Sequence, residues 1–360
     1  MRVIPDALAG AAVDHHPMEK VTIGDLPRLD QAMLQRFAAL HDDHGVLTVL
    51  ADRGAAAETE IRATLRRGGP ALSALSDVAA ALADPRLEGV AHGLVAALSG
   101  GDVFRFELPQ PVATLVTVAS RADVVPLARS FAGGRPVGIV DVRHDRVRIA
   151  EAADGDAREL EGIELSVTGD WTEYRGPARA SPARAVESSS QRERYDRRIR
   201  VQQSRALADV RRRVGVLARE RHWCALVIGG DAHVTGDFVS EPGLPALHVE
   251  THLPAWESAG QLVRHLAREL AEARRRPAAV LAATAHVHPA AFAAGPEAVR
   301  GAIDEGRASA VVVEEPLADD VEDVVRLALA HALDVSFAES VPGGLGGVVC
   351  AVHGARREWP

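Results

Sequence analysis

Apolar positions in the first third of the chain predict both helices and strands. Four apolar residues at helical spacing predict a helix over Asp30–His41, and an apolar run predicts a strand over Gly45–Ala51. Alanine-rich stretches further on are interpreted as helices, and two more apolar runs as strands. The helices are predicted over Ala55–Arg67, Ala71–Ala83 and Leu87–Leu98, and the strands over Val103–Leu108 and Thr114–Ala119.

The middle of the chain combines close-set strand patterns with one long amphipathic helix. Strands are predicted over Val137–Val142, Arg146–Ala150, Glu159–Leu165, Cys224–Ile228 and Ala246–Glu250. Between them, Ser166–Ser190 is rich in Gly, Ser, Pro and Arg and has no periodicity. A helix is predicted from Gln191 to about Glu220, because its apolar residues are mostly three or four positions apart. Those residues are Tyr195, Ile199, Ala206, Val210, Val214 and Leu217.

The last part of the chain alternates helix and strand patterns. After a helix predicted over Ser258–Arg275, helices are predicted over Pro296–Arg307 and Val321–Ala332, and strands over Ser309–Val313, Asp334–Ala338 and Val348–His353. This alternation is typical of an α/β (α+β) protein. The length, 360 residues, is enough for two or three domains. We predict three domains, 1–123, 124–276 and 277–360, with the last boundary at Pro277.

The charge of the chain is distributed unevenly. The chain has 41 Lys+Arg and 50 Asp+Glu, a net charge of −9, which by itself argues against a nucleic-acid partner. Residues Arg175–Arg221, however, contain 14 arginines and 5 acidic residues, a balance of +9, which leaves −18 on the rest. Only one basic residue, Lys20, is a lysine, which indicates a high-GC coding bias behind the choice of arginine.

Two features bear on the compartment. The two cysteines, Cys224 and Cys350, lie in apolar runs and are predicted to be buried free thiols in a reducing cytoplasm. No apolar stretch approaches the roughly 18–20 residues that a membrane-spanning helix needs. Met1–Gly10 shows no secretory signal, so a cytoplasmic location without a membrane partner is expected.

The start of the long helix carries the candidate binding chemistry. Ser190 is placed to cap the helix, with Glu193 completing a capping box. Arginines crowd the turns that follow, where cations oppose the helix dipole, so a polyanionic partner would account for their excess. Arginine forks match phosphate oxygens, although a merely solvated helix face is the alternative. The candidate RNA-binding residues are Ser189, Ser190, Gln191, Arg192, Arg194, Arg197, Arg198, Arg200 and Arg205.

The histidine pairs and the glycine-rich loops do not predict metal or nucleotide sites. The histidines occur as separate pairs, whereas zinc needs three or four ligands with supporting contacts. The pairs are His41 with His44, His248 with His252 on either side of Glu250, and His286 with His288. The loop Gly343–Gly347 precedes a strand instead of following one, and Gly229-Gly230 does not clearly open a helix. We therefore predict neither a metal nor a cofactor.

The order and spacing of these elements resemble a known superfamily. The relevant segments are the Arg-rich loop and helix, WCALVIGG, AIDEGRASAVVVEE and ALAHALDVSFAESVPGGLGGVVCAVH. Over roughly Val124–His353 they resemble bacterial relatives of the archaeo-eukaryotic class I release factor and Pelota, a group with mycobacterial dormancy-associated and Balon-like members. The resemblance implies mixed-sheet α/β units for the middle and C-terminal domains.

The resemblance also implies a site. In that superfamily a GGQ loop of the middle domain reaches the peptidyl-transferase centre, and its glutamine helps to hydrolyse peptidyl-tRNA. The matching positions here are Ser189, Ser190 and Gln191, so the glutamine is retained and both glycines are serines. Because serine resists backbone angles and close approaches that glycine permits, binding without hydrolysis is expected. The C-terminal domain is implied to contact a translational GTPase or the ribosomal stalk. In Balon-like proteins the GTPase is elongation factor Tu.

Three functions remain in competition. The first is a ribosome-associated protein that binds rRNA in the A site during hibernation, stress or rescue. The second is a peptidyl-tRNA hydrolase of esterase type, in which Gln191 orients a water and nearby arginines steady the tRNA. The third is a stress-related protein-interaction module without an RNA role, in which the arginines are only a solvated face.

Overall fold

The computed structural model describes residues 26–51, 59, 63, 91–99, 103–143, 145–153, 156–165, 201, 204–230, 246–248, 258–315, 319–338 and 347–352. Two compact units are distinguished. The first contains the described residues up to Arg135 and from Pro277 onwards, and the second those of Pro136–Arg276. Residues from both predicted terminal domains therefore lie in one unit.

The N-terminal segment folds into a four-stranded antiparallel sheet with two helices. Its elements are α1 (Gln31–Ala39), β1 (His41–Ala51), β2 (His92–Ala97), β3 (Val103–Glu107), β4 (Leu115–Arg121) and α2 (Val124–Gly134). The strand order is β3-β2-β1-β4, with every neighbour antiparallel. The carboxylate of Asp30 accepts a hydrogen bond from the backbone N–H of Met33 at 2.8 Å, which caps α1. The predicted α1, β1, β3 and β4 are confirmed to within a few residues.

In this segment one prediction is wrong and one helix was not predicted. The helix predicted over Leu87–Leu98 contains the strand β2, whose residues pair with β1 from Ala97 opposite Val46 to His92 opposite Ala51. A short run buried on both faces cannot be distinguished from a buried helix by periodicity, and alanine content misled the interpretation. The helix α2 was not predicted, because its opening valines favour a strand. Its Pro126 lies in the first turn, where proline is tolerated.

The second unit contains a mixed five-stranded sheet. Its elements are β5 (Val137–Val142), β6 (Arg146–Ala153), β7 (Asp156–Glu164), α3 (204–220), β8 (Ala225–Gly230), β9 (Ala246–His248), α4 (Ala259–His265) and the first part of α5 (Ala267–Val287). The strand order is β7-β6-β5-β8-β9. Strands β5, β8 and β9 run parallel, whereas β6 and β7 are antiparallel to their neighbours. The strands predicted in this region are confirmed.

Helices cover both faces of this sheet. On one face α3 packs with Leu207, Val210, Val214 and Leu217 against Val140, Ile149 and Ile228. On the other face α4 and the start of α5 pack with Leu262, Leu266, Leu270 and Ala273 against Ile139, Ala150 and Val227. The four described members of the apolar stripe predicted for the long helix, Ala206, Val210, Val214 and Leu217, all lie in or against the first of these clusters. The predicted α/β character is confirmed by this helix–sheet–helix layering.

A glycine in β5 leaves the space in which a tryptophan just after α3 packs against the sheet. The indole of Trp223 lies against Gly138 of β5, where a Cβ atom would be 2.3 Å from its ring. The indole Nε1–H donates a hydrogen bond to the buried carboxylate of Glu151 at 2.8 Å, and Glu151 pairs with Gly138 across β5 and β6. Arg158 of β7 donates to the same carboxylate at 2.7 Å. The glycine therefore creates the space in which this buried polar contact forms.

The helix predicted to end at Arg275 continues through Pro277 to Val287. Proline inside a helix removes one backbone hydrogen bond and disfavours the helical conformation before it. Residues beyond it present an apolar stripe at spacings of three and four, and these are buried against the C-terminal sheet. They are Ala278, Leu281, Ala282 and Ala285. Their burial offsets the cost of the proline.

The C-terminal segment forms a second four-stranded sheet. After a 3₁₀ turn (Pro289–Ala291) come β10 (Phe292–Ala294), α6 (Pro296–Asp304), β11 (Ala308–Glu314), α7 (Asp319–Ala330), β12 (Asp334–Ala338) and β13 (Val348–Val352). The strand order is β10-β13-β11-β12, with only β11 and β12 parallel. The predicted helices and strands are confirmed here, with β10 as an addition.

The N-terminal and C-terminal segments share one hydrophobic core. Leu34 and Phe37 of α1 belong to the same buried cluster as Val299 of α6 and Val324 of α7. Polar contacts join the segments as well. Arg326 donates to the carbonyl oxygen of Ala122 at 2.8 Å, Arg129 lies 2.7 Å from Glu315, and Arg135 lies 3.2 Å from Asp334. The two sequence-distant segments thus stabilise each other.

The cysteines are buried and free, as predicted. Burial raises the pKa of the Cys350 thiol, which keeps it protonated and unreactive at neutral pH. Within the described ranges, no helix is both long and apolar enough to span a membrane.

Asp42 provides a pH-dependent contact at the start of β1. Burial alone would raise the pKa of its carboxyl, but hydrogen bonds from the backbone N–H groups of Ser99 and His44 bring the pKa below the ordinary value of 3.8. These bonds measure 2.7 and 2.9 Å. A lowered pKa means that the ionised carboxylate stabilises the fold at neutral pH, and that this stabilisation is lost as the pH falls through the folded-state pKa.

We expect Asp42→Asn to lower the free energy of unfolding by about 1–3 kcal/mol at pH 7, because charge-assisted hydrogen bonds are lost. Denaturant titrations at several pH values measure this. The difference in the free energy of unfolding between this variant and the wild type should narrow below pH 3.8, as the wild-type carboxyl becomes protonated. The matched control is Asp43→Asn, since the Asp43 side chain is 92% exposed. Equal effects of the two substitutions would contradict the assignment.

We expect Gly138→Ala to destabilise the second unit by about 1–3 kcal/mol, because the added Cβ overlaps the Trp223 ring and the sheet must shift. Thermal or denaturant unfolding followed by circular dichroism measures the change. Gly301→Ala in α6 is the control, since its Cβ would meet nothing within 4 Å and alanine favours a helix. A Gly138 variant as stable as the Gly301 variant would show that the close fit is not needed.

Candidate nucleic-acid interface

The structure describes one of the nine predicted RNA-binding residues. Arg205 lies in the first turn of the described part of α3 and is exposed. Eight lie outside the described residues: Ser189, Ser190, Gln191, Arg192, Arg194, Arg197, Arg198 and Arg200. The interface is therefore built here from α3.

Burial of the apolar stripe of α3 determines which side chains face solvent. Val210, Val214 and Leu217 point at the sheet, each less than 5% exposed. Arg205, Arg212 and Arg219 follow one another at seven-residue intervals, which is close to two helical turns, and all three are exposed. They form one line along the side of α3 opposite to the sheet, about 21 Å long at 1.5 Å per residue. We call this line the α3 arginine stripe.

Ion pairs next to the stripe show which arginines are partly neutralised. Arg212 pairs with Asp209 one turn earlier, and Arg213 pairs with Glu161 of β7. The hydrogen bond that Arg213 donates to Glu161 raises the pKa of Arg213, so this guanidinium stays charged. Among the residues that the structure describes, Arg205 makes no ion pair. An exposed guanidinium of this kind presents its planar N–H fork to two oxygens of an anion such as phosphate.

The end of α3 is fixed to the sheet. His222 adopts φ +54°, and the N–H of Trp223 donates to the carbonyl oxygen of Ala218 at 3.0 Å. This is a Schellman ending with histidine where glycine is usual. Arg221 lies 4.0 Å from Glu151, the carboxylate that also holds Trp223. The helix therefore ends at a defined position, and the direction of the α3 arginine stripe is set.

Sequence reasoning named Arg205 but missed Arg212 and Arg219 as individual candidates, although both lie in the basic segment Arg175–Arg221. The signal that could have found them is the seven-residue spacing read together with the apolar stripe. Once Val210, Val214 and Leu217 are assigned to the buried side, the opposite side follows from helix geometry.

The alternative sites do not assemble in the described chain. Gly230 has φ +125°, and its Cβ would lie 2.0 Å from the carbonyl oxygen of Val142, so strand packing accounts for this glycine. No cluster of three His, Cys, Asp or Glu side chains suited to a metal is found over the described ranges. The side chains of His248, Glu250 and His252 and the loop up to Gly346 lie outside them.

Comparison with known proteins gives one family match. Residues 123–275 match the model of bacterial archaeo-eukaryotic release factor family 10. This range covers α3, the sheet of the second unit and the segment around Gln191. A search of curated proteins finds no significant match.

Solved structures of release-factor and Pelota type align along most of the chain at low identity. The archaeal translation termination factor aRF1 is 15% identical over 91% of this chain and 99% of its own, with a TM-score of 0.24. Archaeoglobus fulgidus Pelota is 10% identical over 91% and 93%, with a TM-score of 0.34. Saccharomyces cerevisiae Dom34 is 8% identical over 91% and 94%, with a TM-score of 0.36.

The family match coincides with the unit that carries the basic helix, in the region where the resemblance was first seen in the sequence. Over residues 123–275, which is less than half of its length, the chain is similar to bacterial archaeo-eukaryotic release factor family 10.

Proposed function

We propose that this protein binds the ribosome, with its release-factor-like domain (124–276) docked on rRNA in the A site during stress, hibernation or rescue. The observation that carries the proposal is the release-factor match over residues 123–275, because this range contains both Gln191 and the α3 arginine stripe. A release-factor domain with an exposed line of arginines is suited to a phosphate-rich surface.

The electrostatics favour docking over sequence reading. Arginine contacts to the phosphate backbone supply affinity that does not depend on sequence. The serine hydroxyls and the amide of Gln191 add donors and acceptors for 2′-hydroxyl groups and base edges. The residues outside Arg175–Arg221 carry −18, and this acidic remainder limits non-specific RNA binding.

The serines at positions 189 and 190 support binding without peptidyl-tRNA hydrolysis. In the superfamily these two positions are glycines, which permit backbone angles and close approaches that a Cβ obstructs. Gln191 would then contact the ribosome or a tRNA end without positioning a hydrolytic water.

The remaining partners follow from the same family argument. We propose that the C-terminal domain (277–360) contacts a translational GTPase, with elongation factor Tu as the first candidate, and that the protein acts in the cytoplasm. A tRNA in the neighbouring ribosomal site is a further contact. No metal or cofactor has a role in the proposal.

We expect the full-length protein to co-sediment with ribosomes at about 200 mM salt, a concentration that strips weak electrostatic binders. Arg205→Glu with Arg212→Glu should lower the bound fraction severalfold, because it reverses two charges of the α3 arginine stripe. The control pair is Arg300→Glu with Arg307→Glu, two exposed arginines of the first unit. Absence of the wild type from ribosomes in stationary-phase lysate would refute the proposal.

We expect neither the wild type nor Gln191→Ala to release peptide from a peptidyl-tRNA model substrate above the uncatalysed background. The measurement is release of labelled peptide on purified ribosomes, with an active release factor as positive control. Wild-type release that disappears in Gln191→Ala would instead establish the hydrolase alternative.

A further inference from the structure

We propose that the second unit has another phosphate-binding surface, formed by Arg264 of α4 and Arg268 of α5, which contacts the phosphodiester backbone of RNA. It lies on the face of the sheet opposite to α3. The inference rests on the proposed function and extends it, since the domain would then contact RNA on both faces. We call the pair the α4–α5 arginine pair.

Helix geometry directs the pair toward solvent. The N–H of Leu266 donates to the carbonyl oxygen of Leu262 at 2.9 Å, and the N–H of Leu270 donates to that of Leu266 at 2.8 Å. The i→i−4 pattern thus continues from α4 into α5. These three leucines are buried against the sheet, so Arg264 and Arg268, which lie one turn apart on the opposite side, are exposed.

Both guanidinium groups are accessible to an anion. The Arg268 side chain is 88% exposed and bonds only its neighbour Glu269, at 2.9 Å, among the described residues. This hydrogen bond raises the pKa of Arg268. Because the guanidinium is far more exposed than Glu269, which is 18% exposed, a phosphate can approach it from the solvent and compete with Glu269. Arg264 makes no ion pair with any part of the chain that the structure describes. The pair therefore offers one guanidinium without an ion pair in the described chain and one that is paired only with its neighbour in the sequence.

Coding bias does not account for the sign of this surface. A high-GC bias explains arginine in place of lysine, but it does not explain an excess of base over acid. Residues 258–276 contain five arginines and two glutamates, whereas the whole chain has nine more acidic than basic residues. The local excess of base matches a polyanion.

The two arginine surfaces act independently because they are far apart. A helix layer on each side of a sheet puts the axes of α3 and α5 roughly 20 Å from each other at about 10 Å per layer. This exceeds the Debye length of about 8 Å at physiological salt. One phosphate cannot bridge them, so they contact separate stretches of RNA, and charge changes on the two faces should have additive effects on affinity.

The test measures binding of unfractionated tRNA to the full-length protein by filter binding between 50 and 200 mM salt, a range in which phosphate contacts dominate. Arg264→Glu with Arg268→Glu should weaken binding by roughly tenfold or more. Arg264→Gln with Arg268→Gln should make the salt dependence shallower by about 1.4–1.8 logarithmic units per decade, as expected for two phosphate contacts to paired or unpaired RNA.

The control is Arg300→Glu with Arg307→Glu, which changes the charge equally. Like the α4–α5 arginine pair, this control pair combines two kinds of arginine. Arg300 has no ion pair in the described chain, and Arg307 is paired with the nearby Glu305. The control variant should bind within about twofold of the wild type, as should any variant that changes only the net charge.

The outcomes separate this inference from the proposed function. If Arg205→Glu with Arg212→Glu loses affinity while the α4–α5 variant does not, the second surface is refuted and ribosome binding through α3 stands. If the α4–α5 variant no longer co-sediments with ribosomes but binds tRNA as tightly as the wild type does, the pair contacts a ribosomal protein and the proposed RNA contact is refuted. A wild type that binds neither tRNA nor ribosomes refutes both proposals.

Discussion

Burial of the apolar stripe of α3 is the constraint on which the candidate interface depends. Because Val210, Val214 and Leu217 must leave water, the helix lies flat on the mixed sheet and its rotation about its own axis is set. The arginines between them then face solvent without any contact that directs them. Trp223, held by Glu151 in the space above Gly138, fixes the position along the sheet at which the helix ends. Apolar packing thus determines which way the arginines of α3 face.

The sequence predicted the fold best where one face of an element is buried. The amphipathic period of α3 and the continuous apolar runs of β8 and β11 were interpreted correctly, because each reports one-sided burial or complete burial directly. The strand β2 was missed because its residues His92–Ala96 are buried on both faces and because alanines at 96 and 97 favoured a helix. The passage of α5 through Pro277 was missed because its stabilisation comes from distant residues such as Val349, which no local pattern reports.

The candidate site was predictable only in part. The charge balance located the basic segment, and the family resemblance located Gln191 within it, but neither assigned individual arginines to a surface. Arg205 and Arg212 became a pair only when the buried side of α3 was known. The α4–α5 arginine pair was not predicted, although a helix was expected over Ser258–Arg275, because both arginines lie outside the basic segment Arg175–Arg221. Assignment of surface charge therefore depended on packing.

The shared core of the terminal segments has a consequence for synthesis of the chain. Phe37 and Leu34 are buried partly by Val299 and Val324, which are translated more than 260 residues later. Closing a loop of this length is slow relative to local contacts, so the second unit has all of its strands and helices available well before the first unit can be completed. During translation, the apolar side of α1 cannot be fully buried until Val299 and Val324 have been synthesised. We therefore expect the order of folding to run from the middle of the chain outward, with the core of the first unit completed last.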